Sequence, residues 1–394
     1  MSPKNDSQFD PIPRQFDRIR NFPRHEMVFW VLIFSCVLWL YIFRPIPKAV
    51  YNESLAEVGC YLFVIYLAFR LFHPEEVFTV LFSIFSLLVA SYAILLGFSL
   101  VSNNAEVVLV YADVFEVLDK GGNPYQGNQI YHRVENGEVV YGDFNYLPLE
   151  IIPYYAAYSL TGTWDATVLV LTNLILNLLA CCILWNVFSE LEWTRKVPLL
   201  AIVLLTHVNY TSGLTLIFVS LFLALQKTNE GPEPCLAIAI IMGLGFLTKF
   251  FFGIIVIFYG WNLLVAGHFK KLAIEFGLGF SIALVAILPF GLENIISATI
   301  LFQGELETRD ILTSFFPNVL SGLMYVIKIK AIYPVVAFLI FFAFLLVERE
   351  PKHSRLFLGA ILSMFLLPTP EPQYISCIFV IMLWTKLEEH RHHS

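Results

Sequence analysis

The chain has 394 residues, 58% of them hydrophobic and only 14% charged, with a formal net charge of -7. A soluble domain carries about 25% charged residues, so the composition excludes an ordinary soluble protein and predicts an integral membrane protein with many spans. The acidic balance leaves no basic footprint for nucleic acid, and none is expected as a partner.

A bilayer core of ~30 Å takes about 20 mostly apolar residues per helix. Prolines and arginines crowd residues 1–26 before any apolar run, which reads as a cytoplasmic tail rather than a signal peptide. Spans are then expected over residues 27–43, 55–69 and 77–101, the last an uncharged run of 25. A polar loop follows at 102–147, with a span at 166–189 after it. Residues 197–226 are too many for one span, and His207, Asn209 and Tyr210 in their middle predict two helices with a turn there. Residues 235–269 break in the same way near Lys249. Further spans are expected at 276–288, 331–347, 356–367 and 375–385. Two apolar stretches are expected to lie along the interface instead: 147–160, which holds Glu150 and Pro153, and 311–327, which holds Pro317 and Gly322.

The predicted fold class is an all-α polytopic membrane protein of about 11–13 transmembrane helices, with external loops that carry short interfacial helices. The expected segments are a cytoplasmic tail (1–26), three spans (27–101), a first large external loop (102–165), central spans (166–292), a second external loop (293–330), and C-terminal spans with a short cytoplasmic tail (331–394). Cytoplasmic loops collect Lys and Arg. With the N-terminus inside and twelve spans, the inner side receives 16 of the 24 basic residues. Counting either interfacial stretch as a span would put basic and acidic loops on the wrong sides. Glycosylation sequons at Asn52 and Asn209 fall outside, but one at Asn5 falls inside, so they decide nothing. Of the six cysteines, none lies in the long polar loop, which excludes a disulfide framework. The localisation predicted is a multi-pass cell-membrane protein whose site faces outward.

The loop at 102–147 holds seven acids and two bases. Its first part, through Lys120, reads as a helix with Glu106, Asp113, Glu116 and Lys120 on one side. Gly121 and Gly122 would end it, and Asn123-Pro124-Tyr125 would turn the chain. Residues 126–142 look like an inserted β-hairpin turning at Asn136-Gly137. Such a carboxylate-bearing helix is either a solvated face or part of a site just outside the bilayer. Lys249, between apolar helices, either snorkels to the interface or finds an anion. Arg309 either pairs with Glu305 or Asp310 or binds an anion, and His207 is either structural or an anion ligand. Tyrosines at a membrane interface usually form belts, and the alternative is that they line a binding site. The histidines at 390, 392 and 393 form a short tail cluster that is either a solvated end or a metal binder, and no Cys/His spacing marks a zinc site.

The stretch "VYADVFEVLDKGGNPY" and the later "DFNYLPLEIIPYY" resemble the first external loop of the polyprenyl-phosphate-sugar-dependent membrane glycosyltransferases of the GT-C fold, in their mannosyltransferase-like branch. The matching residues are Tyr111, Gly122, Pro124, Tyr125, Tyr146 and Pro148. "PTPEPQYISCIF" resembles the family's external Pro-Gln-Tyr at the head of a last span, at Pro372, Gln373 and Tyr374, and Lys249 resembles its single Lys between two apolar helices. The resemblance implies an inverting transfer of a hexose, such as mannose, from a polyprenyl-phosphate carrier to a lipid or glycan acceptor hydroxyl in the cell envelope. A carboxylate would take the acceptor proton, and Lys249, Arg309 and His207 would hold the donor phosphate. Tyr111, Tyr125, Tyr146, Gln373 and Tyr374 would contact sugar or acceptor. Some relatives use a divalent metal; the loop acids could hold one, and nothing in the sequence requires it.

The chain departs from the pattern where the acid is wanted. Val107 stands in the family's register with Glu106 beside it, and Asp113 follows the Tyr instead of preceding it. The base is Glu106 by register or Asp113 by residue type, with Asp143 third. The rival reading, a multi-span transporter or lipid flippase, would call for charges in mid-membrane or paired broken helices. The acids of this chain concentrate in a loop instead.

Overall fold

A computed structural model describes residues 83–88, 90, 91, 94, 103, 105–127, 129–135, 138–207, 211–229, 231–301, 377, 380, 381 and 384, all within the unit Ile46–Ser394. The expected spans at 27–43, 55–69, 331–347 and 356–367 lie outside them, as does loop 302–330.

The described chain is mostly helical. Helix α1 spans Glu106–Asp119, and a hairpin of β1 (Ile130–Glu135) and β2 (Glu138–Gly142) follows. A 3-10 turn at Pro148–Glu150 leads into the short helix α2 (Ile151–Thr161). Then come α3 (Ala166–Val187), α4 (Trp193–His207), α5 (Gly213–Thr228), α6 (Leu236–Phe246), α7 (Phe250–Val265) and α8 (Phe269–Ile287). A 3-10 turn at Leu288–Phe290 extends α8.

The end of α1 follows from its glycines. Gly121 has φ 72°, a conformation that glycine adopts without strain. Its N–H donates to the Leu118 carbonyl at 2.9 Å, and the Gly122 N–H to that of Val117 at 2.8 Å. This pair of bonds is the Schellman stop. The hairpin is antiparallel, with Glu135 opposite Glu138, so residues 136 and 137 alone connect the strands. Paired strands thus interrupt the expected all-helical chain at the predicted place.

The breaks expected near 207 and 249 both occur, between α4 and α5 and between α6 and α7. At 11 residues, α2 is too short to cross a bilayer, as expected of an interfacial segment. Among the described residues, two helices are long and apolar enough to cross a membrane: Ala166–Val187 and Phe269–Phe290. The second corrects an expectation, because it begins seven residues before the predicted 276. Its first turns hold charges that find distant partners. The Lys271 ammonium donates to the carbonyls of Asn229 and Gly231 at 2.9 and 2.8 Å. The Glu275 carboxylate accepts from Cys235 N–H at 2.8 Å and Tyr259 O–H at 2.7 Å. Partnered in this way, buried charge no longer opposes helix.

Helix α3 packs against α4 and α5, and α6 packs against α8 and α5. Small residues set the α6–α8 approach. A Cβ at Gly243 would stand 2.5 Å from the Gly279 carbonyl oxygen, so only glycine permits that crossing. Apolar side chains also point outward: Ile175 and Leu179 on α3, and Phe280 and Val285 on α8, are each at least half exposed.

Candidate functional site

The loop between Lys120 and Ile151 folds back over the end of the helices. Asn123 starts this return: its side-chain oxygen accepts the Tyr125 N–H at 3.0 Å, and its amide donates to the Phe290 carbonyl at 2.7 Å. Tyr125 is buried, and its hydroxyl donates to the Tyr146 carbonyl at 2.8 Å. The Phe144 N–H donates to the Pro124 carbonyl at 2.8 Å. These bonds place an aromatic cluster under α1. Tyr111 is its centre, stacked on Tyr146 with ring centroids 6.5 Å apart and touching Tyr154 at 4.7 Å and Phe144 at 5.7 Å. Trp164 closes it, donating its indole N–H to the Val108 carbonyl at 2.9 Å.

The cluster meets the helix break at Lys249. The Leu149 N–H donates to the Leu247 carbonyl at 3.1 Å, tying the 3-10 turn to the break. Thr248 is held there too, accepting from the Thr215 hydroxyl at 3.1 Å. Lys249 precedes α7 with extended backbone and is 6% exposed. Its ammonium lies 5.2 Å from the centroid of the Tyr146 ring, within cation–π range.

The 3-10 turn also supplies Glu150, which is 0% exposed. Burial pushes the phenols of Tyr111, Tyr125 and Tyr154 well above their usual range, and in each the negative charge of Glu150 adds to that push. One carboxylate therefore acts on three buried phenols. Tyr154 also donates its hydroxyl to Asn173 of α3 at 2.7 Å. Glu150 is the residue that sequence reasoning missed as a site residue. The signal was present: a lone acid in the apolar run "LPLEIIPYY" needs a buried partner or a surface.

The structure thus gathers Tyr111, Tyr125, Tyr146 and Lys249 of the predicted site. The predicted carboxylates stand differently. Glu106 is exposed in the first turn of α1. At about 100° per residue it points ~140° away from Tyr111 around the helix, and Asp113 points ~160° away. The Asp113 carboxylate accepts the Tyr131 N–H at 2.8 Å and so ties β1 to α1. Burial raises its pKa from the usual value, the bond from Tyr131 opposes the rise, and Glu116 adds to it. Asp143 is half-buried just after β2. His207 ends α4, and its side chain lies outside what is described; Arg309, Gln373 and Tyr374 lie outside the described residues altogether.

A concavity of about 370 Å³ opens along α1, away from Lys249, lined by Phe115, Glu116, Asp119, Lys120, Tyr158 and Trp164. Asp119 accepts the hydroxyls of Tyr155 and Tyr158 at 2.8 and 3.0 Å, which fixes α2 against α1. Among the described residues, no group of three or more His, Cys, Asp and Glu stands together to hold a metal. No protein-family model, no curated protein and no solved structure matches this chain.

Proposed function

We propose that the protein is a multi-pass membrane glycosyltransferase that moves a hexose, such as mannose, from a polyprenyl-phosphate carrier to an acceptor hydroxyl on the non-cytoplasmic side. The observation that carries this reading is the nearly buried Lys249 ammonium over the Tyr146 ring, at the break between two apolar helices. A cation in such a place suits the phosphate of a lipid-borne donor. The outward-pointing apolar side chains of α3 and α8 support a chain that lies among lipids.

In this reading the acceptor oxygen attacks the anomeric carbon from the face opposite the phosphate. The bond from that carbon to the phosphate oxygen breaks with its electron pair, and the leaving phosphate gains charge that Lys249 stabilises. A loop carboxylate accepts the hydroxyl proton. Of the three candidates Glu106 is the most accessible, while Asp113 already holds the hairpin. The test is transfer of labelled sugar by purified protein carrying Glu106→Gln, Asp113→Asn or Asp143→Asn. One of the three is expected to lower kcat at least about a hundredfold. Unchanged transfer by all three would remove the loop carboxylates from the reaction.

A further inference from the structure

The last two turns of α1 are flanked by two concavities that no step of the transfer uses. The one of about 370 Å³ is bounded by Glu116, Asp119, Lys120, Tyr158 and Trp164. Another, of about 470 Å³, lies past the helix end, where Val117, Gly122, Asn123, Gln126, Gly127 and Gln129 line it. Lys120 lines both, so the two adjoin. Each falls within the range of small-ligand clefts, about 300–1,000 Å³.

The wall of the first is preorganised. Phe115 is buried, stacks on Tyr158 with ring centroids 5.0 Å apart, and meets Trp164 edge-on at 4.9 Å. Tyr158 and Trp164 are left half-buried at the concavity. Asp119 is fixed by α2: one carboxylate oxygen takes the Tyr155 hydroxyl and the other takes that of Tyr158. Acceptor capacity remains on both oxygens. Glu116 and Lys120 form an ion pair one turn apart, and both are mostly exposed. The other concavity carries no acid; its polar side chains are the amides of Asn123, Gln126 and Gln129 with the Lys120 ammonium. Two acids against one base do not select an anion. What the lining offers is fixed aromatic rings beside a mixture of donors and acceptors. A sugar matches it, because its C–H faces pack on rings while each hydroxyl both donates and accepts.

We propose that the two concavities form one groove for a neutral oligosaccharide, the non-reacting stretch of the sugar acceptor. This rests on the glycosyltransferase reading and deepens it, since it makes the acceptor a glycan rather than a bare lipid alcohol. The groove lies away from Lys249, so its occupant is not the reacting sugar. Lys120, Asp113 and Glu106 fall within about 40° of one another around α1. A glycan in the groove therefore runs on the side of the helix that bears two of the candidate bases. Binding of such a remote segment serves to orient the reacting hydroxyl. Two adjoining concavities call for a chain of at least two sugar units.

The measurement is binding of mannotetraose, maltotetraose and chitotetraose to the full-length protein. A zwitterionic detergent is used, because maltoside head groups are themselves sugars. Wild type is expected to bind at least one of the three saturably. Glu116→Ala and Lys120→Ala alter exposed side chains, and each is expected to weaken that binding about three- to tenfold. Trp164→Ala is expected to weaken it by more than about tenfold. Trp164→Phe, which keeps a ring, is expected to fall between, and it carries that arm if the Ala variant does not fold. In sugar transfer the same variants are expected to raise KM for a glycan acceptor and to leave KM for the donor unchanged. A wild type that binds none of the three tetrasaccharides overturns the groove, as does binding that Glu116→Ala, Lys120→Ala and Trp164→Phe all leave unchanged. Sugar transfer to a lipid alcohol would then keep the glycosyltransferase reading intact. Binding that these variants weaken, in a protein that transfers no label from any polyprenyl-phosphate hexose, keeps the carbohydrate groove and overturns the glycosyltransferase reading.

Discussion

The Lys249 ammonium lies 5.2 Å from the centroid of the Tyr146 ring, and Tyr111 stacks behind that ring at 6.5 Å. The loop between α1 and α2 thus supplies the surface on which a helix-break lysine rests. An aromatic face holds a desolvated cation with about 0.5–2 kcal/mol. Tyr146→Leu is therefore expected to raise the KM for donor several-fold, up to about thirtyfold, while Tyr146→Phe keeps the ring face and changes it far less. Steady-state kinetics on the two variants make the comparison. Equal losses would mean that the hydroxyl, not the ring, supports Lys249.

Asp113 gives a pH dependence of defined sign. Its folded pKa is raised from the usual 3.8, chiefly by burial. Its contribution to stability is then fully present below the unfolded value and is lost as pH rises through the folded one. Asp113→Asn keeps an acceptor for the Tyr131 N–H without the charge. At pH 7 it is expected to be as stable as wild type or more stable, by under about 1 kcal/mol, with the gain absent at pH 3. Asp113→Ala loses the acceptor and is expected to cost about 1–3 kcal/mol. Thermal unfolding in detergent at both pH values checks the order. An Asn variant that is the weaker of the two would reverse the argument.

Gly243 is the tightest test of the helix packing. The missing Cβ would stand 2.5 Å from a backbone oxygen of α8, which no side-chain rotation relieves. Gly243→Ala is expected to destabilise by about 1–3 kcal/mol, read as a lower unfolding temperature. Gly231→Ala is the control, since nothing stands within 4 Å of the added atom.

What the sequence could reveal was local. The Gly121 stop, the hairpin around residues 136 and 137, and the breaks near 207 and 249 each depend on residues within a few positions of one another. The early start of α8 did not show, because the partners of Lys271 and Glu275 stand 16 to 42 residues away in the chain. The same limit hid Glu150. Its place in the apolar run was visible, but the turn that carries it is tied by a bond from Leu149 to Leu247, almost a hundred residues on. The carboxylate face of α1 was legible as a pattern; that Asp113 serves the hairpin was not, because β1 supplies the N–H it receives.

The same loop offers a test of the expected orientation. Gln129 is exposed just before β1. With the loop outside, Gln129→Cys in a background lacking the native cysteines is expected to react with a membrane-impermeant maleimide on intact cells. Labelling only after permeabilisation would place the loop, and the site with it, on the cytoplasmic side.

The most direct measurement is sugar transfer itself. Purified wild-type protein, reconstituted with a polyprenyl-phosphate-linked radiolabelled mannose and a membrane extract as acceptor, is expected to move label into a new glycoside of inverted anomeric configuration. Lys249→Met is expected to lower that transfer at least about a hundredfold. Label that stays on the carrier across a panel of polyprenyl-phosphate hexoses, with a protein that is folded and binds none of them, would contradict the account.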